Sequence, residues 1–170
     1  MAREPLRILG IDTSLRSTGV GVVDARGTSF SSLYYGTIKI PRTWIHSKTL
    51  ARLHEEITEV IQKEQPQAAV IEGIFYCKNV RTAMTLGQAR GVVLAACATA
   101  GIPVFEYSPR KVKQAVVGFG SAHKDQIGKM IKSILGLQEI PQEDASDALA
   151  LAICHLHTLT GHRLLDPQEI

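Results

Sequence analysis

The sequence predicts an α/β fold: a five-stranded mixed sheet, three antiparallel strands followed by parallel βα units, flanked by helices. Three observations carry this expectation. The first forty residues hold three β-branched-rich segments whose connections are too short for a parallel crossover. A helical period begins near Ser47, and two later apolar strands each alternate with helical stretches.

Leu6 to Thr13 and Thr18 to Asp24 read as strands joined by a tight polar turn, and Ala25-Arg26-Gly27 turns the chain into a third strand, Ser29 to Ile40. Leu50, Leu53, His54, Ile57, Val60 and Ile61 then recur at helical spacing, with acids on the other face, until Pro66 ends the pattern. Ala68 to Ile74 is a compact apolar strand. Asn79 to Ala100 reads as a long helix stopped by Gly101, and Pro103 to Tyr107 as another short strand. Ser108-Pro109 is a capping residue followed by proline at the first helical position. A further helix is expected from about Ser121 to Leu135, capped by Ser121, and a last one from about Glu143 to Leu159. No repeat, low-complexity tract or boundary divides the chain, so residues 1–160 are expected to form one domain and 161–170 a short C-terminal tail open to disorder.

With 170 residues, 45% of them hydrophobic and 21% charged, the composition is that of a globular protein and excludes disordered and collagenous classes. The N-terminal residues reach Asp12 before an apolar stretch of signal-peptide length develops, so no cleaved secretion signal is expected. The uncharged run between Arg90 and Glu106 is too short for the roughly 20 apolar residues of a membrane span, and it contains Gly101 and Pro103. Three widely spaced cysteines, Cys77, Cys97 and Cys154, suit a reduced compartment. The expected address is therefore cytoplasmic, with no membrane partner.

The net charge of +3 conceals an uneven distribution. Residues 1–72 are nearly neutral, whereas residues 73–136 carry nine basic side chains against two acidic, and residues 137–170 carry one against six. The middle segment holds Lys78, Arg81, Arg90, Arg110, Lys111, Lys113, Lys124, Lys129 and Lys132. Any one of these lysines is ordinarily a solvated helix residue. A whole segment of one sign is less ordinary, because surfaces usually intersperse both, and it matches the footprint of a phosphate backbone.

Two acids interrupt apolar strands: Asp12 in Ile8-Leu9-Gly10-Ile11-Asp12, and Glu72 in Ala69-Val70-Ile71-Glu72. Carboxylates set into such strands need a cation or hydrogen bonds, although a wet strand end would also accommodate each. Asp144 and Asp147 lie three apart and share a helix face, where the dipole of a first turn alone would explain them. Yet Asp147 directly precedes the small apolar run Ala148 to Ile153, which turns its face inward. If the four acids converge, they offer an all-oxygen site suited to Mg2+ or Mn2+. Two such ions about 4 Å apart would activate water and stabilise the leaving oxygen of a phosphodiester.

Gly10-Ile11-Asp12, Ile71-Glu72 with Phe75 and Lys78-Asn79, Leu86-Gly87-Gln88-Ala89-Arg90-Gly91, Val104-Phe105-Glu106-Tyr107, Val112-Lys113-Gln114, Gly120-Ser121-Ala122 with Lys124, and Asp144-Ala145-Ser146-Asp147-Ala148 occur in this order. The ordered set resembles the RuvC family of bacterial Holliday-junction resolvases, from about Leu6 to His157. The resemblance implies an RNase H-like fold and a homodimeric, Mg2+-dependent endonuclease of recombination and repair that nicks two strands of a four-way DNA junction symmetrically. It implies catalytic, metal-binding roles for Asp12, Glu72, Asp144 and Asp147, with two Mg2+ ions per site and Mn2+ as a substitute. DNA contacts are expected from Phe75, Lys78, Arg81, Arg110, Lys111, Lys113 and Lys124, with Phe75 facing the junction. The implied partners are junction DNA, a second copy of the chain, and the branch-migration proteins RuvA and RuvB. The pattern departs from the family at Thr13-Ser14, where Pro-Gly is usual, and at Gly73, where glutamine is frequent.

Cys154, His155 and His157 form a short Cys/His cluster without a CxxC partner, so zinc is not expected there. Phe105 reads as a core residue, and His123 stands with Lys124 at a helix start. Two alternatives stay open at this point: a junction-binding protein that does not cleave, and a different RNase H-like enzyme acting on RNA. A phosphotransferase lacks support, since no GxxxxGK[ST] loop occurs.

Overall fold

The computed structural model describes residues 5–73, 79–160 and 168–170. Strands β1 (Leu6–Asp12), β2 (Ser17–Arg26) and β3 (Ser29–Lys39) form an antiparallel meander. Helix α1 (His46–Glu64) leads to β4 (Ala68–Glu72), and α2 (Val80–Thr99) to β5 (Val104–Tyr107). Helices α3 (Pro109–Val117), α4 (Lys124–Leu135) and α5 (Glu143–Leu159) follow, before a two-residue strand β6 (Gln168–Glu169). The sheet order is β3-β2-β1-β4-β5-β6, with β1, β4 and β5 mutually parallel.

The mixed α/β sheet is as expected, with one strand more. β6 pairs antiparallel with β5, Phe105 opposite Glu169 and Glu106 opposite Gln168. Two exposed polar residues are too few to show alternation, so no sequence pattern marks this strand. The start of α4 also differs: the cap is His123, whose backbone N–H donates to Gln126 Oε1 at 2.8 Å, and not Ser121. Ala122 is buried, which turns the chain inward there and delays the helix. The cap expected at Ser108 holds, its Oγ accepting from Lys111 N at 3.3 Å, while Asn79, read as the first residue of its helix, is the cap of α2, its Oδ1 accepting from Thr82 N at 3.1 Å.

Alternation along the strands divides the interior into two layers. Leu9 and Ile11 of β1, with Ala69 and Ile71 of β4, pack against Leu53 and Ile57 of α1 and Val93 of α2. Ile8 and Val70 face the opposite way, towards α3, α4 and the apolar body of α5. Helix α5 is the most deeply placed element, with an unbroken buried run from Ala148 to Leu156. It lies directly on β1 and β2 because glycines line that contact. A Cβ added at Gly10 would overlap the Ala148 carbonyl, one at Gly19 the Asp144 carbonyl, and one at Gly21 would lie 2.7 Å from Leu149 Cδ2. Gly10 and Gly21 are cross-strand partners, as are Asp12 and Gly19, so the glycines and Asp12 form one patch beneath the helix.

Overpacking at a backbone contact cannot be relieved by a rotamer change. Gly10→Ala should therefore lower stability by about 1–3 kcal/mol or more, read from the midpoint of urea denaturation; an unchanged midpoint would refute this contact.

Candidate active site

The strand alternation that places Ile8 and Gly10 under α5 continues to Asp12, and that of Ala68 and Val70 continues to Glu72. The two carboxylates therefore emerge side by side at the C-terminal ends of adjacent parallel strands, on one face of the sheet. Helix α5 begins above them and contributes Asp144 in its first turn and Asp147 one turn later. From the next layer, α3 supplies Lys113 and α4 supplies Lys124. Asp12, Glu72, Asp147, Lys113 and Lys124 line one cleft of about 230 Å³, whose apolar walls include Val112, Ile127 and Leu151. Asp144 does not line it; one of its carboxylate oxygens accepts a hydrogen bond from Ser17 Oγ at 2.5 Å.

The electrostatics reflect this crowding. Burial pushes the Asp12 carboxyl up to about 7, and Asp147, Glu72 and Asp144 add to the rise, while Lys124 opposes it. Glu72 opens to solvent at its strand end, yet the cleft walls still raise its pKa through desolvation, aided by Asp147 and countered by Lys113 and Lys124. Asp147 is raised chiefly by burial, with Lys124 the main opposing charge. Lys124 is itself held protonated by its ion pair with Glu143 and by the negative field of Asp147 and Asp12. Among the described residues no group of three or more His, Cys, Asp or Glu side chains is spaced as a closed metal cluster. Asp12, Glu72 and Asp147 line the cleft, and Asp144 stands outside it but within the field of Asp12.

Of the other residues singled out by sequence, Arg110 is exposed on α3, with its alkyl chain close to Gly120, and Lys111 is half-buried on the same helix. Arg81 is exposed in the first turn of α2. Phe75 and Lys78 lie outside the described residues. Arg90 is turned inward to pair with Glu106, so it leaves the expected basic surface. Phe105 packs on the core, its ring 4.5 Å from that of His155. His155 is buried, shares a 2.8 Å hydrogen bond with the Tyr107 hydroxyl, and is pushed down to about 4 by desolvation. The Ser17 contact to Asp144 was not anticipated; its only signal is the cluster of hydroxyl residues between β1 and β2.

The model of the crossover junction endodeoxyribonuclease RuvC family matches residues 8–155. The chain belongs to the RuvC family. RuvC of Pelotomaculum thermopropionicum is 45% identical over 159 residues, covering 93% of this chain and 97% of that relative. RuvC of Idiomarina loihiensis is 46% identical over 155 residues, covering 89% and 87%. Among solved structures, Thermus thermophilus RuvC in complex with a Holliday junction substrate superposes with a TM-score of 0.89 at 32% identity, covering 96% of this chain and 99% of that one. The yeast mitochondrial Holliday junction resolvase Ydc2, at 12% identity and a TM-score of 0.66, shares the fold and covers 89% and 78%. The RNase H-like architecture expected of a RuvC family member is thus the one observed.

The raised carboxylates fix the sign of a pH effect. Between about pH 4 and 7 the folded chain keeps on Asp12 a proton that the unfolded chain has released, so this group favours folding at low pH and loses its contribution as pH rises through that window. In EDTA, stability of the wild type should fall more steeply over this range than that of Asp12→Asn, measured by urea denaturation. Equal slopes would mean that Asp12 is not the strained carboxylate.

Proposed function

We propose that the chain is a structure-selective endonuclease that resolves four-way DNA junctions by paired symmetric nicks, through metal-dependent phosphodiester hydrolysis, in recombination and repair. The observation that carries this reading is the juxtaposition of Asp12, Glu72 and Asp147 with Lys113 and Lys124 in one cleft of a RuvC-family chain. The neighbouring Thermus thermophilus structure, described as a complex with a Holliday junction substrate, supports the choice of DNA.

An all-carboxylate donor set is the chemistry that hard divalent cations select, and mutual repulsion of the acids favours any cation that enters. Asp12, Glu72, Asp144 and Asp147 would hold Mg2+, or Mn2+ in its place, as two ions. When bound, such ions supply a nucleophilic water near neutral pH and positive charge at the leaving oxygen. The chain's own groups do the rest. Ser17 orients Asp144 by its hydrogen bond. Glu143 pairs with Lys124 beside the acids, where the ammonium would meet a phosphate, and Lys113 offsets the charge of Glu72. Arg110 and Lys111 continue the positive surface along α3, and Arg81 stands at the start of α2; with Lys113 and Lys124 they are the proposed backbone contacts. Phe75 and Lys78 complete the proposed DNA set. RuvA and RuvB remain the proposed partners, and the cytoplasm, where bacterial DNA lies, the proposed address.

The expected outcome of Asp12→Asn is loss of cleavage of a synthetic four-way junction in Mg2+, with junction binding retained in a gel-shift assay. Wild-type-like cleavage by this variant would remove the assignment, and cleavage of unbranched duplex as fast as junction by the wild type would remove the structural selectivity.

A junction presents two equivalent strands, and a two-fold dimer presents two equivalent sites. Helix α2 carries a face suited to that role. Val80 and Met84 are 75% and 63% exposed, and a Cβ at Gly87 or Gly91 would meet nothing within 4 Å. We propose this face as the dimer contact. Met84→Glu should shift the sedimentation coefficient from dimer to monomer; an unshifted dimer places the contact elsewhere.

A further inference from the structure

Arg90 was expected among the solvated cations, but its side chain is only 15% exposed. From α2 it reaches across to the end of β4, where Nη1 donates to the Glu72 carbonyl oxygen at 2.8 Å. Nη2 forms an ion pair with Glu106 of β5, whose side chain is 19% exposed. The ladder between β1 and β4 ends at the Ile11 and Ile71 pair, so the Glu72 carbonyl lies beyond its last register pair. On the other side of the same peptide group, Gly73 N donates to the Tyr107 carbonyl at 2.9 Å. The Glu72 peptide is therefore held at both ends, by a guanidinium at its oxygen and by β5 at its nitrogen-bound hydrogen.

We propose that Arg90 is a positioning residue for the Glu72 carboxylate, with Glu106 fixing the plane of its guanidinium. The inference rests on the reading of Glu72 as a metal ligand. The orientation of the Glu72 peptide sets the direction of its Cα–Cβ bond at the point where the chain leaves the sheet. A ligand at a strand end lacks the neighbours that hold a mid-strand residue, and groups that orient ligands typically change metal affinity when lost. Arginine is required by geometry. Its planar fork donates from two separate nitrogens to a carbonyl and a carboxylate at once, whereas the three donors of an ammonium all leave a single nitrogen. Arg90 differs in this from the cleft lysines, whose charge faces the acids themselves.

The test compares three variants by isothermal titration of the DNA-free protein with Mn2+, alongside thermal stability and junction binding in EDTA. Arg90→Lys keeps the charge opposite Glu106 but cannot span both acceptors; it should weaken Mn2+ binding roughly 10-fold or more, with junction binding unchanged. Glu106→Gln removes the ion pair yet leaves an oxygen acceptor for the guanidinium; it should lower thermal stability while Mn2+ affinity stays near wild type. Wild-type Mn2+ affinity in Arg90→Lys overturns the positioning role and leaves a structural ion pair. Glu72→Gln separates the two levels of argument: if it weakens Mn2+ binding and Arg90→Lys does not, this inference alone fails. If Glu72→Gln itself leaves Mn2+ binding intact, the reading of Glu72 as a ligand fails with it.

Discussion

The direct contact between α5 and the glycine patch of β1 and β2 is the constraint on which the rest of the molecule depends. Side chains normally hold a helix away from a sheet, but at Gly10 and Gly19 the backbone carbonyls of Ala148 and Asp144 occupy the space where a Cβ would stand. That approach fixes the helix both in depth and along its axis. Because Asp12 is the cross-strand partner of Gly19, the same register that admits the helix sets the start of α5 above the first carboxylate. Helices α3 and α4 then pack around α5 and deliver Lys113 and Lys124 to the cleft from its other side. Placement of five charged groups from five separate elements thus follows from three residues that have no side chain.

The arrangement is costly as a folded state and useful as a site. Carboxylates brought together in a partly desolvated cleft destabilise one another's charged forms, most strongly at Asp12, which lies within the field of all three others. The two lysines relieve part of that repulsion, and Lys124 is also paired with Glu143. Charge is sorted in space as it is in sequence. The acids come from strand ends and the head of α5, the cations from α3 and α4, and the cleft is their seam. A larger cavity of about 680 Å³ lies at the other end of the sheet, beside the β2 to β3 turn. Its lining carries no acid or lysine, so size alone does not mark the reactive site.

Much of this was legible in the chain. Asp12 and Glu72 stand out because an acid in an apolar strand has few innocent explanations, and the spacing of Asp144 and Asp147 identifies a shared helix face. The strand and helix order followed from alternation, from Pro and Gly stops and from the Ser108 cap. What the pattern concealed depends on contacts distant in sequence. Gly10, Gly19 and Gly21 look like interruptions of a strand until the helix that needs them, more than 120 residues later, is in place. Arg90 has the same composition signal as Lys113, and only the end of β4 reveals that it serves the interior. The β6 strand is two residues of polar chain, and its pairing is a property of β5 and not of its own sequence.

The turn after Asp12 departs from the pattern that the family resemblance implies and is closed in another way. Where proline and glycine would set a turn through covalent restriction, Thr13-Ser14 begins one closed by side-chain hydrogen bonds. Ser17 N donates to Ser14 Oγ at 3.0 Å, Ser14 N to Thr18 Oγ1 at 3.2 Å, and the Thr18 hydroxyl returns a bond to the Ser14 carbonyl. Arg16 then ties the turn to the segment before α1, donating to the Pro41 carbonyl at 2.6 Å and the Trp44 carbonyl at 3.1 Å. Each bond is exchangeable with water and individually modest, about 0.5–1.5 kcal/mol, so rigidity here comes from their number and from anchors on both sides. The last of them, from Ser17 to Asp144, joins the turn to α5. The loop that carries Asp12 out of the sheet and the helix that brings Asp144 towards it are thereby fastened to each other through Ser17, a residue that lies outside the Thr13-Ser14 pair.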